Sequence, residues 1–295
     1  MIIMVLGSSG QLGTALQKRA VGDRVNVWHF LTKEQADVRN ERELLERADL
    51  VNPDMIINCA GLTDVDALEH NRETAFAVNA YGAENAAKMA REINAGLIHI
   101  STDYVFDGKK IVENGKQRPY RETDPPNPLM VYGKSKLLGE QLIQRRMSKY
   151  IILRTAWLYG GAHSFVAKIV KQALTGSTLR VADDQIGTPT SVVELTNAIF
   201  SLMHTEHYGL YHSSCKGEAS WYDFACEILK QKKLTNCIMP ISMKELNHTA
   251  KRPSYSVLDN GRLTQLQVYQ FSHWKTALAR YLKNYTTDDF VNNKI

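Results

Sequence analysis

The sequence predicts an α/β fold: a doubly wound parallel sheet with helices on both faces, extended by a smaller C-terminal lobe. Three observations predict it. Short apolar runs alternate with helical stretches through the first half of the chain. A glycine turn joins the first of these runs to the first helix. After residue 156 the pattern changes to shorter, mixed elements. On this reading residues 1–155 and 189–208 form the sheet domain, 156–188 and 209–285 the lobe, and 286–295 a flexible tail.

Residues 2–6, Ile-Ile-Met-Val-Leu, are apolar and β-branched, as in a strand buried on both faces. Gly7 follows at once. Gly10 and Gly13 complete a G-x-x-G-x-x-G spacing, and 14–19 continue as a helix. Glycine permits a tight turn and close backbone approach to a pyrophosphate, and the helix N-terminus offers free N–H groups and a positive dipole end. The second strand, 25–30, runs into Leu31-Thr32-Lys33. No carboxylate stands at its end to hold a ribose 2′-hydroxyl, although Glu34 is close by. A hydroxyl and an ammonium suit a 2′-phosphate, which predicts NADPH with some NADH use, with a solvated loop charge as the alternative for Lys33. Pro53 precedes a buried strand at 55–59, residues 70–93 read as one long helix, and 97–100 and 150–154 read as further buried strands. Pro119, Pro125, Pro126 and Pro128 mark an irregular stretch before a helix over 131–147. Segment 209–212 and a helix over 221–231 fall in the lobe.

Composition bounds the function. Hydrophobic residues make up 44% and charged residues 23% of the 295, as in an ordinary enzyme with a sizeable core. The formal charge of +5 is modest, and no long basic run points to nucleic acid. A mildly positive cleft for an anionic substrate fits that balance. No apolar stretch approaches the roughly 18 residues of a membrane span, and the chain starts as a strand rather than as a signal peptide. Cys59, Cys215, Cys226 and Cys237 lack metal-ligand spacing and read as free thiols in a reducing cytoplasm. His163, His204, His207 and His212 are too irregularly spaced for a site and read as surface or capping residues.

Ligands in such sheets bind beyond the C-terminal ends of the strands. Those exits carry 60–66 (Ala-Gly-Leu-Thr-Asp-Val-Asp), 101–108 (Ser-Thr-Asp-Tyr-Val-Phe-Asp-Gly) and 155–160 (Thr-Ala-Trp-Leu-Tyr-Gly), so hydroxyls and aromatics collect beside the glycine turn. Turn and capping chemistry competes with that reading at each exit taken singly. Tyr132 and Lys136, spaced Tyr-x-x-x-Lys, share one helix face a turn apart. A free phenol has a pKa of about 10, and a fixed ammonium nearby lowers it. With the glycine turn, this pair predicts proton transfer coupled to hydride transfer.

The chain resembles the dTDP-4-dehydrorhamnose reductase family of extended short-chain dehydrogenase/reductases, which have a Rossmann sheet. The matching segments include 10–13 (Gly-Gln-Leu-Gly), 57–60 (Ile-Asn-Cys-Ala), 78–80 (Val-Asn-Ala), 99–108, 131–136, 154–157, 184–190, 220–225 and 251–253 (Lys-Arg-Pro). The resemblance implies a catalytic set of Thr102, Tyr132 and Lys136 that reduces the C4 ketone of a sugar nucleotide. Tyr132 supplies the proton, Lys136 depresses its pKa and bonds the nicotinamide ribose, and Thr102 is the second donor to the alkoxide. The cofactor falls to Gly7, Gly10, Gln11, Leu12, Gly13, Thr32, Lys33, Asp37, Val38, Ala60, Gly61, Thr63 and Asn79, besides Tyr132 and Lys136. Val65, Asp66, Tyr104 and Trp157 shape the sugar pocket, with core packing as the alternative for Trp157. Arg252 suits the substrate's phosphates, with an ion pair between lobe and sheet domain as its alternative.

Three positions depart from the family pattern: Ser164 and Tyr255, where asparagine is common, and Asp64, where a small residue is usual. The catalytic set is intact, but dTDP and UDP sugars both stay open. Two other readings remain: a sugar-nucleotide 4-epimerase or dehydratase on the same scaffold, for which Asp103 stands beside Thr102, and a non-catalytic NADP-binding regulatory subunit. The family is often dimeric, which allows a homodimer; some members bridge the dimer through a metal held by glutamates that are not matched here, so no metal is expected.

Overall fold

The computed structural model describes residues 1–109 and 111–292. Its centre is a sheet of six parallel strands: β1 (Ile2–Leu6), β2 (Val27–Leu31), β3 (Met55–Asn58), β4 (Gly96–Thr102), β5 (Tyr150–Thr155) and β6 (Gly209–His212). The order across the sheet is β6-β5-β4-β3-β1-β2. Alternate side chains feed two cores. On β1, Ile3 and Val5 enter one, while Met4 and Leu6 enter the other. This period of two, apolar on both faces, is what a strand sandwiched between helical layers requires.

The helices follow from capping and amphipathic spacing. They are α1 (Gln11–Ala20), α2 (Glu41–Val51), α3 (Val65–His70), α4 (Arg72–Phe76), α5 (Gly82–Glu92), α6 (Val131–Arg146), α7 (Phe165–Leu174), α8 (Val192–Leu202), α9 (Trp221–Lys232), α10 (Gly261–Leu266), α11 (Trp274–Lys283) and α12 (Thr287–Val291). The layer of α2, α5 and α6 covers Met4, Leu6 and Ile152, and α1, α7 and α8 lie on the opposite core with the C-terminal helices. The lobe therefore shares a core with the sheet domain. Its short parallel pair, Leu179–Ala182 with Ile238–Ile241, is separate from the main sheet.

Three sequence expectations are corrected. Segment 209–212 belongs to the central sheet as β6, paired with β5 from Gly209↔Ile151 to His212↔Arg154. Residues 70–93 are not one helix. The chain breaks at Asn71, and a π-helical turn at Ala77–Tyr81 separates α4 from α5. The tail is ordered through α12, where Thr286 and Asp289 form a reciprocal cap and Phe290 is fully buried. Residues 293–295, also part of that expected tail, lie outside the described residues. No helix of the described residues is long and apolar enough to cross a membrane.

Candidate active site

The strand order reverses between β1 and β3, because β2 lies on one side of β1 and β3 to β6 on the other. A crevice at such a switch point is where open α/β sheets bind ligands. The glycine turn sits there. Gly7 has φ +71°, and a Cβ on it would meet the Ala60 backbone at 2.7 Å. A Cβ on Gly13 would meet the Ser8 backbone at 2.5 Å, so α1 packs against the turn only with glycine there. The Ser8 amide donates to the Leu31 carbonyl at 3.0 Å, which brings the Thr32-Lys33 exit beside the turn. The N-cap of α1, Gly10, has no side-chain hydrogen bond, so the first-turn amides face outward uncapped. These features fit a dinucleotide pyrophosphate.

A cleft of about 410 Å³ opens beside the turn. Of the residues expected from sequence, Gly10, Gln11, Leu12, Ala60, Gly61, Thr63, Val65, Thr102, Tyr104, Tyr132, Lys136 and Trp157 line it. Others stand behind it. Asn79 lies on the π-helical turn, accepts from the Leu62 amide at 2.8 Å, and donates to the Leu62 carbonyl at 3.0 Å and to Ser135 Oγ at 3.1 Å. It thus ties the 61–63 loop to α6, and a π turn near a site is a frequent way to aim one side chain. Val38 is buried against Gly82, and Asp37 is paired with Arg39 at 2.5 Å. Lys33 is exposed.

Thr102 ends β4 and Tyr132 opens α6. Burial pushes the Tyr132 phenol up to about 12, the Thr102 hydroxyl holds it down, and the Asp103 charge raises it. Lys136 Nζ lies 3.2 Å from His99 Nε2. Burial lowers Lys136 to about 8, against the opposing pull of Glu140. Glu140 is itself held by Arg154 through two hydrogen bonds of 2.9 and 2.7 Å and accepts from Ser101 Oγ. Thr102 Oγ1 donates to Asp103 Oδ1 at 3.1 Å, and burial pushes that carboxyl up to about 7.

Trp157 both packs and lines the cleft. It is buried, its backbone has φ +43°, and its indole stacks on Trp221 at 3.6 Å with 5° between planes. A bulky residue held in the left-handed region marks stored strain, which clusters at ligand sites. Trp221 Nε1 donates to Gln185 at 2.8 Å, and Gln185 Nε2 to the Tyr104 hydroxyl at 3.2 Å, so one chain of bonds fixes this wall.

Asp66 and Arg252 are the exceptions. The Arg252 fork engages Asp66 at 3.2 and 2.6 Å, and Asp66 also accepts from the Ala250 amide at 2.9 Å and faces His248 at 3.0 Å. Neither residue lines the cleft. This is the lobe-to-sheet ion pair that stood as the alternative. The departures from the family pattern have local roles: Ser164 caps α7, Asp64 caps α3, and the Tyr255 hydroxyl donates to Glu218 at 3.2 Å. Asn58, His99, Glu140 and Arg154 carry no expected site role. Their signal is polarity inside otherwise apolar strands and, for Glu140, a place one turn beyond Lys136.

The chain is similar to known proteins along nearly its whole length. The family described as the RmlD substrate binding domain matches residues 1–287. The spore coat polysaccharide biosynthesis protein SpsK of Bacillus subtilis (strain 168) is 38% identical over 95% of this chain and 96% of its own. A crystal structure of a dTDP-4-dehydrorhamnose reductase from Clostridium acetobutylicum is 37% identical, with TM-score 0.91 over 96% of this chain and 99% of that one. One from Bacillus anthracis, in complex with NADP, is 34% identical with the same TM-score of 0.91 and the same coverage, 96% and 99%. With a family model spanning residues 1–287 and reductases 34–37% identical that share its fold over 96% of its length, the chain belongs to the dTDP-4-dehydrorhamnose reductase family of NAD(P)-dependent oxidoreductases.

Proposed function

We propose that this chain reduces the C4 ketone of a nucleotide-linked 4-keto-6-deoxy sugar with NADPH, converting dTDP-4-dehydro-L-rhamnose to dTDP-L-rhamnose. The observation that carries the reading is the convergence of Thr102, Tyr132 and Lys136 on one cleft beside the uncapped N-terminus of α1. NADP in the similar Bacillus anthracis reductase supports the cofactor. The residues suited to hold it are the glycine turn, Gly61, Thr63 and Lys136, with Thr32 and Lys33 toward the 2′-phosphate. A reduced nicotinamide bound there supplies the hydride.

The chain's own groups do the rest. Tyr132, a neutral phenol at physiological pH, donates its proton to the carbonyl oxygen as that oxygen becomes an alcohol. Thr102, by turning its one hydroxyl proton away from Asp103, supplies a second donor to the same oxygen. Two preorganised donors stabilise developing alkoxide charge, and losing one typically costs about 10²–10³ in rate. A charged Lys136 then stabilises the phenolate that Tyr132 leaves behind. Trp157 and Trp221 offer a flat apolar wall to the sugar, and Tyr104 is fixed by Gln185. NADPH oxidation assayed across dTDP- and UDP-linked 4-keto sugars tests the reading. Turnover is expected with the dTDP-4-keto-6-deoxy sugar, and no oxidation with any member of the panel would overturn it.

A further inference from the structure

Behind Lys136 lies a buried polar pair that the reduction as described does not use. His99 on β4 is fully buried and Asn58 on β3 nearly so. Asn58 Oδ1 accepts from the Ala60 backbone amide at 3.0 Å. A backbone N–H only donates, so this bond fixes which end of the Asn58 amide is oxygen. The other end, Nδ2, then faces His99 Nδ1 at 3.2 Å as a donor. His99 Nδ1 must accept, and in a neutral imidazole the proton therefore sits on Nε2. Nε2 lies 3.2 Å from Lys136 Nζ.

An N–H aimed at Nζ finds a lone pair only on the neutral amine. An ammonium has donors alone and meets it as a like-polarity clash. We infer that Asn58, anchored by the Ala60 amide, locks His99 as its Nε2–H tautomer and through it tunes the protonation of Lys136. Asn58 and His99 are thus positioning residues.

The other groups facing Lys136 do not replace this control. Glu140, on the same helix, favours the ammonium but is shared with Arg154 of β5 and Ser101 of β4. The Cys59 thiol, pushed up to about 12 by burial, stays neutral. Burial and the Lys136 charge also hold His99 well below its ordinary pKa, consistent with a neutral ring. His99 is no proton exit, because Nδ1 ends on Asn58 inside the sheet.

Two measurements on the full chain decide it. Nitrogen NMR of the histidine rings should show His99 with bare Nδ1 and protonated Nε2, and a proton on Nδ1 would overturn the lock. The second is the pH profile of kcat/KM for the 4-keto sugar nucleotide at saturating NADPH, in wild type and Asn58→Asp. The aspartate still accepts from the Ala60 amide but draws the His99 proton to Nδ1, leaving Nε2 bare to accept from an ammonium. The alkaline limb should move up by about one pH unit, with the melting temperature and NADPH affinity little changed. A limb that stays put in a folded Asn58→Asp would also overturn the lock. The inference rests on the reductase reading. A wild type that oxidises no NADPH would refute that reading alone, since the NMR result does not depend on turnover.

Discussion

Tyr132 has one hydroxyl and one partner role, which makes it the sharpest single-residue test. Tyr132→Phe keeps the ring that packs edge-on to Tyr104, at 6.3 Å between centroids, and removes only the proton donor. It should lower kcat about 10²-fold or more and leave NADPH affinity nearly intact, as steady-state rates and cofactor titration will show. The placement of Tyr132 and Lys136 on α6 and of the three glycines at the first turn was legible because each motif is local: about one turn of helix, or one strand–turn–helix. His99 and Asn58 were not. Their partners lie 37 and 41 residues away in sequence, and only the sheet brings them together. Arg252 was read as a phosphate ligand or a lobe clasp because its partner, Asp66, lies 186 residues away. Lys136 shows a subtler limit. Its place on the Tyr132 face was legible, but whether it carries a proton depends on burial and on His99, which no spacing encodes.

At the scale of elements, the lobe is held to the sheet domain by the Asp66–Arg252 pair. Arg252 keeps the Asp66 carboxyl well below the usual carboxylate range. A depressed carboxyl contributes stability above its unfolded pKa of about 4, and loses it as pH falls toward the folded value, so the clasp is intact at neutral pH. Arg252→Lys keeps the charge and loses the fork. It should cost roughly 1 kcal/mol, about 2 °C in melting temperature, with KM for the sugar nucleotide unchanged. A raised KM with unchanged melting would return Arg252 to the phosphates. The C-terminal α12 makes the opposite point about sequence. Its composition reads as a loose tail, yet Phe290 is fully buried with Lys232 Nζ 5.2 Å from its ring centroid. Phe290→Ala should cost about 3 kcal/mol in denaturant unfolding, where a loose tail would cost nothing. The long helix expected over 70–93 failed for a related reason. Its periodicity is continuous, but Asn79 bonds to Leu62 and Ser135 from a π turn that no periodicity announces.

The whole molecule places its chemistry where the strand order reverses. Six parallel strands aim their exits at one rim, and the two covalently distant halves of the site, the glycine turn and α6, meet there. The sheet was legible from its apolar runs. The sixth strand was not, because 209–212 is short and lies far along the chain, next to lobe elements. The net charge of +5 suits an anionic nucleotide sugar without naming its base. The most direct test of the central claim follows the hydride itself. NADPH deuterated at the transferred position of the nicotinamide C4 is supplied with dTDP-4-dehydro-L-rhamnose, and the product is examined by NMR. One deuterium should appear on C4 of the sugar, with one NADP⁺ formed per product. Product lacking deuterium, or sugar converted with no NADPH consumed, would contradict the account.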